Sequence, residues 1–399
     1  MLGSSRAASR KTILTATTNI WRAAKDGGVP NNWTSFFSGS AWKLDPTTGE
    51  YYLHLFADKQ PDLNWDNPRV RAQVYDLMKF WLNKGVDGFR MDVIPFISKR
   101  EGLPDLPPEY MSRPQYFYAM GPHFHEYMAE MNRDGDRWRD WTLPELKAIY
   151  TRQNQAFDVH SWNTIFLSNH DNPRVVSAFG NDSAAYRVAS AKALATMLLT
   201  LKGTPFIYQG DELGMTNYPF TSIGQCDDIA VKNAWQALVV TKKVSPEAFM
   251  ANVRKVSRDN SRTPVQWDNS PNAGFTNAPK AWLAVNPNFL EINAKQELSD
   301  PNSVYHYFAA MAALRRRTPA FVYGDYQDLD PANPKIFAYT RAMGADKYLV
   351  VLNFSTDEVG YTLPGSIEAG DLVFSNLGKT NEQGETLHLK AWEARIYRY

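Results

Sequence analysis

The sequence holds one cysteine, Cys226, so no internal disulfide can form, and a reducing cytoplasm is the expected setting. It has almost no net charge: 43 basic against 42 acidic residues leave +1. That balance favours neither nucleic acid nor an acidic surface as partner. No apolar run approaches the ~18–20 residues of a membrane-spanning helix. GxGxxG, P-loop, HExxH and GxSxG motifs are all missing, which removes the common dinucleotide, nucleotide, zinc-protease and serine-hydrolase chemistries. Asp134-Gly135-Asp136 falls well short of a calcium loop. Internal repeats and low-complexity tracts are also lacking.

What is present is ordinary globular composition, 44% hydrophobic and 21% charged, in 399 residues. That length suggests two or three domains and a sizeable core. Aromatics are plentiful, with 12 Trp, 20 Tyr and 21 Phe. Flat rings suit the apolar C–H faces of pyranoses, although core packing also uses them. Residues 1–20 carry Arg6, Arg10 and Lys11, and no acid appears until Asp26. Their composition fits a transit peptide, but a disordered or foreign leader is the favoured reading.

Residues 26–64 are rich in Gly, Asn, Trp and Phe and lack a helical period. From Asn67-Pro68 a helix is expected, with Pro at its first position and an apolar stripe of Val70, Val74, Leu77, Met78 and Trp81. Gly85 should end it, and a strand over 86–94 should follow. The same helix-then-strand unit recurs. A helix over 143–157, opened by a Thr142/Glu145 capping box, leads to a strand over 164–167 and then Ser168-Asn-His-Asp171. A helix over 183–202, closed by Gly203, leads to a strand from Thr204 running into Gln209-Gly-Asp-Glu212. Alternating helices and buried strands imply a parallel β/α architecture. After a helix over 303–317, strands over 336–341, 348–354 and 387–399, with turns at Gly344 and Gly378, predict an antiparallel β domain.

Three expected strand ends carry polar groups. In Val86-Asp-Gly-Phe-Arg-Met-Asp-Val93, alternation puts Arg90 and Asp92 on one face, roughly 6–7 Å apart. They form either a structural ion pair or a nucleophile held ionised by its neighbour. His170 beside Asp171 reads as functional rather than as a core histidine. The acids of Gln209–Glu212 read equally well as a solvated loop. In β/α barrels the active site lies at the C-terminal strand ends. Several acids on one rim suggest glycoside hydrolysis, the commonest metal-free reaction of paired carboxylates.

The stretches NNWTSFFSGSAW, YYLHLF, QPDLNW, GVDGFRMDVI, FLSNHDNPR, GTPFIYQGDELGMTNYPF and SRDNSRTPVQWDN resemble the signature segments of family 13 glycoside hydrolases of the oligo-1,6-glucosidase/α-glucosidase type. The similarity runs from about Trp21 to the C-terminus. It implies a (β/α)8 barrel, an inserted B domain and a C-terminal β-sandwich. It also implies retaining hydrolysis of terminal α-1,6-linked glucose in oligosaccharides, with α-1,4 links as second choice, and no organic cofactor. Asp92 would be the nucleophile and Asp171 the stabiliser of the oxocarbenium-like transition state. Arg90, His170, Arg258 and Arg262 would line the sugar site, and Phe37, Phe56 and Gln60 its wall, unless those aromatics are B-domain core. Val93 resembles enzymes preferring α-1,6 bonds. Lys255–Asn260 is unlike the basic–acidic signature of sucrose isomerases, so hydrolysis is expected over isomerisation; a family transglucosylase is the minor option.

Two departures qualify that resemblance. The three N-terminal barrel strands of the family, with its calcium loop, find no match. Arg133 also runs directly into Asp134, where the family places a strand bearing the general-acid Glu, then a helix and another strand. Only Glu212 remains as a positional substitute. The expected organisation is a leader (1–20), a B-domain remnant (21–64), an incomplete barrel with strands four, seven and eight (65–321) and a C-terminal β domain (322–399). Exposed barrel edges predict poor solubility or self-association. A catalytically dead relative that binds sugar or a partner protein is the alternative to an active enzyme.

Overall fold

The computed structural model describes residues 18–65, 67–84, 92–93, 96, 99–100, 102–111, 114–118, 141–156, 162–364 and 368–399. The chain forms two compact units: residues 1–138 with 232–241, and residues 139–231 with 242–399.

In the first unit, β1 (Trp21–Arg22), β2 (Trp42–Leu44) and β3 (Tyr51–Leu53) form an antiparallel sheet in the order β1-β3-β2. Its core is aromatic. Trp33 stacks on Tyr118 at 4.5 Å, and Trp42, Leu53, Leu55 and Phe117 pack around them. The indole N–H groups are satisfied as burial demands: Trp33 donates to Pro104 O at 2.8 Å and Trp42 to Asn31 Oδ1 at 2.6 Å. The expected helix is Pro68–Leu82, with Asn67 accepting from Arg69 N and Pro at the first position. It stops at Asn83, whose N–H donates to Lys79 O; Gly85 lies outside the described residues. The apolar stripe is only partly covered. Val70 is buried, but Leu77 and Trp81 are exposed.

The strand expected over 86–94 lies mostly outside the described residues. The two described there, Asp92 and Val93, sit in a turn, and Val93 has φ +44. A β-branched residue in that region is strained and cannot continue a pleated strand.

In the second unit, β4 (Thr164–Ile165) pairs in parallel with β5 (Thr204–Pro205), Thr164 opposite Thr204. Both strands are shorter than their apolar patterns suggest. Pro205 has no N–H for the ladder, and β4 and β5 have only each other as partners among the described residues. Beyond β5, Phe206 and Ile207 are 53% and 46% exposed. The helices Leu143–Ala156 and Arg187–Thr200 precede these strands as expected. The second is buried from Ser190 to Thr200, so it is a core helix. Gly203 follows with φ +127, and a Cβ there would meet Asn163 O at 2.8 Å. Only glycine lets the chain turn so close to β4.

The helix Val304–Arg317, capped by Ser303, leads to β6 (Asp325–Asp328), β7 (Ile336–Met343), β8 (Asp346–Asn353), β9 (Val359–Thr362), β10 (Asp371–Ser375), β11 (Thr386–Leu389) and β12 (Ala394–Arg398). A five-stranded antiparallel sheet runs β10-β12-β8-β7-β6, and β9 pairs with β11. Ile336, Leu349, Val351, Tyr361, Leu387 and Leu389 join the two sheets in one core, giving the expected sandwich. Buried cations lock sandwich to helices. Lys147 donates to the carbonyls of Asp330, Asn333 and Ile336 at 2.6–3.0 Å. Arg341 reaches those of Thr200, Phe321 and Gly324. Among the described residues, no helix is long and apolar enough to cross a membrane.

Candidate active site

Four of the sequence-predicted residues meet in the second unit. After β4 the chain turns through Ser168-Asn169-His170-Asp171. Asn169 shapes this turn, accepting from Asp171 N at 2.8 Å and from the Asn172 amide at 2.9 Å. Across from it, the one-turn helix Asp259–Arg262 carries Arg262, with Arg258 at its N-cap. Four residues apart, the two guanidinium groups fall on one side. Both converge on a single oxygen: Asp171 Oδ1 accepts from Arg258 Nη1 at 3.1 Å and from Arg262 Nη2 at 2.9 Å. The other oxygen lies 3.3 Å from His170 Nε2. Arg262 Nε also donates to His170 O at 2.9 Å, tying the arginine to the turn itself.

Two further carboxylates, not singled out from sequence, organise this cluster. Arg258 Nε and Nη2 contact Asp228 Oδ2 and Oδ1 at 2.7 and 2.5 Å. Asp228 is buried, and burial raises its pKa, but the Arg258 charge outweighs that and holds it below the usual carboxylate value. For Arg258, burial opposes the charge while Asp228 and Asp171 prevail and raise its pKa. Asp259 Oδ2 accepts from the backbone N–H of Asp227 at 2.7 Å and of Asp228 at 2.9 Å. Burial still leaves Asp259 with a raised pKa. Its other oxygen lies 3.8 Å from Arg262. The result is a closed ring: Asp171, Arg258, Asp228, Asp259, Arg262 and back to Asp171.

The acids after β5 are not a solvated loop. Asp211 is buried in the turn Asp211–Leu213; it accepts from Ser168 Oγ at 2.5 Å and lies 3.3 Å from Tyr208 N. Burial pushes its pKa up to about 6, against the pull of Ser168 and Arg174. Glu212, the positional substitute for an acid, folds back onto Gly210 N at 2.8 Å. Arg174 is fully buried and donates to the carbonyls of Gln209, Asn260 and Thr263 at 2.6–3.2 Å, joining the β5 end to the arginine helix. The signal that marked these groups was weak: acids at a strand end, and an Asp between two arginines.

The remaining predicted residues belong to the first unit. Phe37 and Phe56 meet edge to face at 5.8 Å. Phe56 also packs with Phe36 and Phe96 at 5.2 and 6.4 Å, as a core contributor would, and both Phe37 and Phe56 keep part of their surface exposed. Gln60 accepts from Ala57 N at 3.2 Å and stays at the surface. Asp92 lies in the turn described above, and Arg90 falls outside the described residues.

Comparisons with known proteins give the family. A family model for the α-amylase catalytic domain matches residues 7–141 and 134–324, and one for the α-amylase SusG C-terminal domain matches 336–396. An oligo-1,6-glucosidase of Parageobacillus thermoglucosidasius is 43% identical over 435 residues, covering 95% of this chain and 77% of the relative. A glucan 1,6-alpha-glucosidase of Streptococcus dysgalactiae subsp. equisimilis is 38% identical, covering 94% and 75%. A solved isomaltulose synthase variant of Erwinia rhapontici NX5, in complex with sucrose, superposes with a TM-score of 0.93 at 42% identity, covering 100% of this chain and 80% of that one. In the Parageobacillus alignment, 435 positions against about 379 residues of this chain (95% of 399) leave roughly 56 positions without a counterpart. The catalytic-domain match comes in two ranges that overlap at 134–141, next to the Arg133–Asp134 join. With a (β/α)8-type catalytic domain and a C-terminal sheet domain, this chain belongs to the α-amylase family of glycoside hydrolases.

Proposed function

We propose that this chain is an α-glucosidase-type hydrolase. Its substrate is terminal α-1,6-linked glucose in short oligosaccharides, with α-1,4 links as second choice, and hydrolysis retains configuration. The observation that carries this is Asp171 clamped on one oxygen by Arg258 and Arg262 beside His170. Relatives named as oligo-1,6-glucosidases and glucan 1,6-alpha-glucosidase support the substrate class. Asp92 attacks the anomeric carbon, the glycosidic C–O bond breaks, and water then hydrolyses the glucosyl ester. Asp171 stabilises the positive charge that develops on the sugar. Arg90 partners Asp92, and Phe37, Phe56 and Gln60 wall the site. The reading calls for no organic cofactor and places the protein in the cytoplasm. Phe206 and Ile207, just beyond the short β5, make exposed apolar surface through which copies associate.

The leaving oxygen lacks its usual proton donor, because the stretch that supplies the general acid is missing at 133–134 and Glu212 is engaged with Gly210. Substrates with activated leaving groups therefore react, and alkoxide leaving groups lag by roughly 10²–10⁴-fold. Isomaltulose synthase structures superpose closely, but Lys255–Asn260 departs from the isomerase signature, so hydrolysis is the reading we hold. The weak proton supply favours one second reading, a sugar-binding relative without turnover.

Mass spectrometry tests the nucleophile. Treatment with 5-fluoro-α-glucosyl fluoride, whose anomeric fluoride leaves without an acid, adds one 5-fluoroglucosyl mass to the peptide holding Asp92. A folded sample that stays unlabelled sinks the hydrolase reading and leaves the sugar-binding one.

A further inference from the structure

Trp282 is the most exposed large apolar side chain among the described residues, at 68%. Its position is nevertheless fixed. The next residue, Leu283, is buried, and Asn286 donates to the carbonyls of Thr216 and Asn217 at 3.1 and 3.0 Å, so the loop is pinned. The indole Nε1 donates to Asp227 Oδ2 at 2.6 Å. That carboxylate is exposed, and its residue is built into the arginine ring: Asp227 N donates to Asp259, and neighbouring Asp228 grips Arg258, which grips Asp171. A flat ring held with its face in water, beside a carboxylate whose neighbour Asp228 is joined to Asp171 through Arg258, has no packing role that explains it. It has the chemistry of a pyranose platform: the indole covers an apolar C–H face while carboxylate oxygens accept from ring hydroxyls.

We propose that Trp282 and Asp227 form a subsite for the leaving-group side of the oligosaccharide, with Trp282 stacking on a glucose ring beyond the bond to be cleaved. This rests on the hydrolase reading of the same site. Trp282 thereby selects oligosaccharides over free glucose, which occupies only the Asp171 end.

Calorimetric titration tests it without requiring turnover. Isomaltotriose and glucose are titrated into the parent chain and into Trp282→Ala, Trp282→Phe and Trp282→Leu, each checked for an unchanged Tm. The ratio of isomaltotriose to glucose affinity should fall roughly three- to tenfold in Trp282→Ala and in Trp282→Leu, and recover in Trp282→Phe, because a flat ring is required rather than apolar bulk. An unchanged ratio in Trp282→Ala, or full function in Trp282→Leu, overturns the subsite while leaving the hydrolase reading intact. A parent chain that binds neither sugar overturns both.

Discussion

Arg258 meets Asp228 with two parallel contacts, Nε to Oδ2 at 2.7 Å and Nη2 to Oδ1 at 2.5 Å, which leaves Nη1 aimed at Asp171 at 3.1 Å. The bidentate fork fixes the plane of the guanidinium, so a buried carboxylate sets the direction of the donor aimed at Asp171.

Replacing Asp228 by Asn keeps the shape but gives up the charge and one acceptor. Arg258 should then turn away from Asp171. Turnover of p-nitrophenyl α-glucoside should fall roughly 10- to 100-fold with little change in Tm. Arg258→Lys should fare no better, since an ammonium cannot serve both carboxylates in one plane.

Asp211 should make stability depend on pH in an unusual direction. Its folded pKa, about 6, lies above its ordinary value of 3.8, so the folded state binds the extra proton between those values. Stability contributed by this group is therefore present below about pH 4 and is lost as pH rises through 6, by about 3 kcal/mol in total. Denaturation midpoints of the parent and of Asp211→Asn, followed from pH 4 to 7, should show that downward slope in the parent alone.

Arg341→Met tests the lock between helix and sandwich. Phe321 O keeps Arg315 as a donor at 2.9 Å, but the carbonyls of Thr200 and Gly324 lose their guanidinium. Two orphaned buried acceptors should cost about 2–4 kcal/mol in urea denaturation.

Gly203→Ala tests the turn before β5. A Cβ would sit 2.8 Å from Asn163 O and 2.9 Å from Ile165 Cγ1. With φ +127 forbidden as well, destabilisation should exceed about 2 kcal/mol, and the β4–β5 pair should lose its hydrogen-exchange protection first.

Local signals in the sequence were strong where one segment decides the outcome. Asn67-Pro68 and Ser303 mark their helix starts, the Ala/Leu run marks the core helix Arg187–Thr200, and the strands expected over 336–341 and 348–354 correspond to β7 and β8. Strands β4 and β5 are shorter than their apolar runs suggest, because a strand is only as long as its ladder. The strand from Thr204 is expected to run up to Gln209, yet its pairing stops at Pro205. His170, Asp171, Arg258 and Arg262 could be named through motif resemblance, and the structure brings them together. Asp228 was invisible, since it lies 30 residues before the arginine it orients and no local pattern links them. Asp211 reads equally well as a solvated loop residue, because an acid at a strand end carries no sign of the Ser168 hydroxyl that meets it from 43 residues away.

The central claim is a sugar site with a nucleophile and no dedicated acid. The direct measurement is kcat/KM for p-nitrophenyl α-glucoside and for isomaltose with the same preparation, with Asp92→Asn as control. The account predicts turnover of the activated glucoside that disappears in Asp92→Asn, with isomaltose slower by roughly 10²–10⁴-fold. Isomaltose cleaved as readily as the activated glucoside would contradict it, because the chain would then carry a proton donor this account denies it.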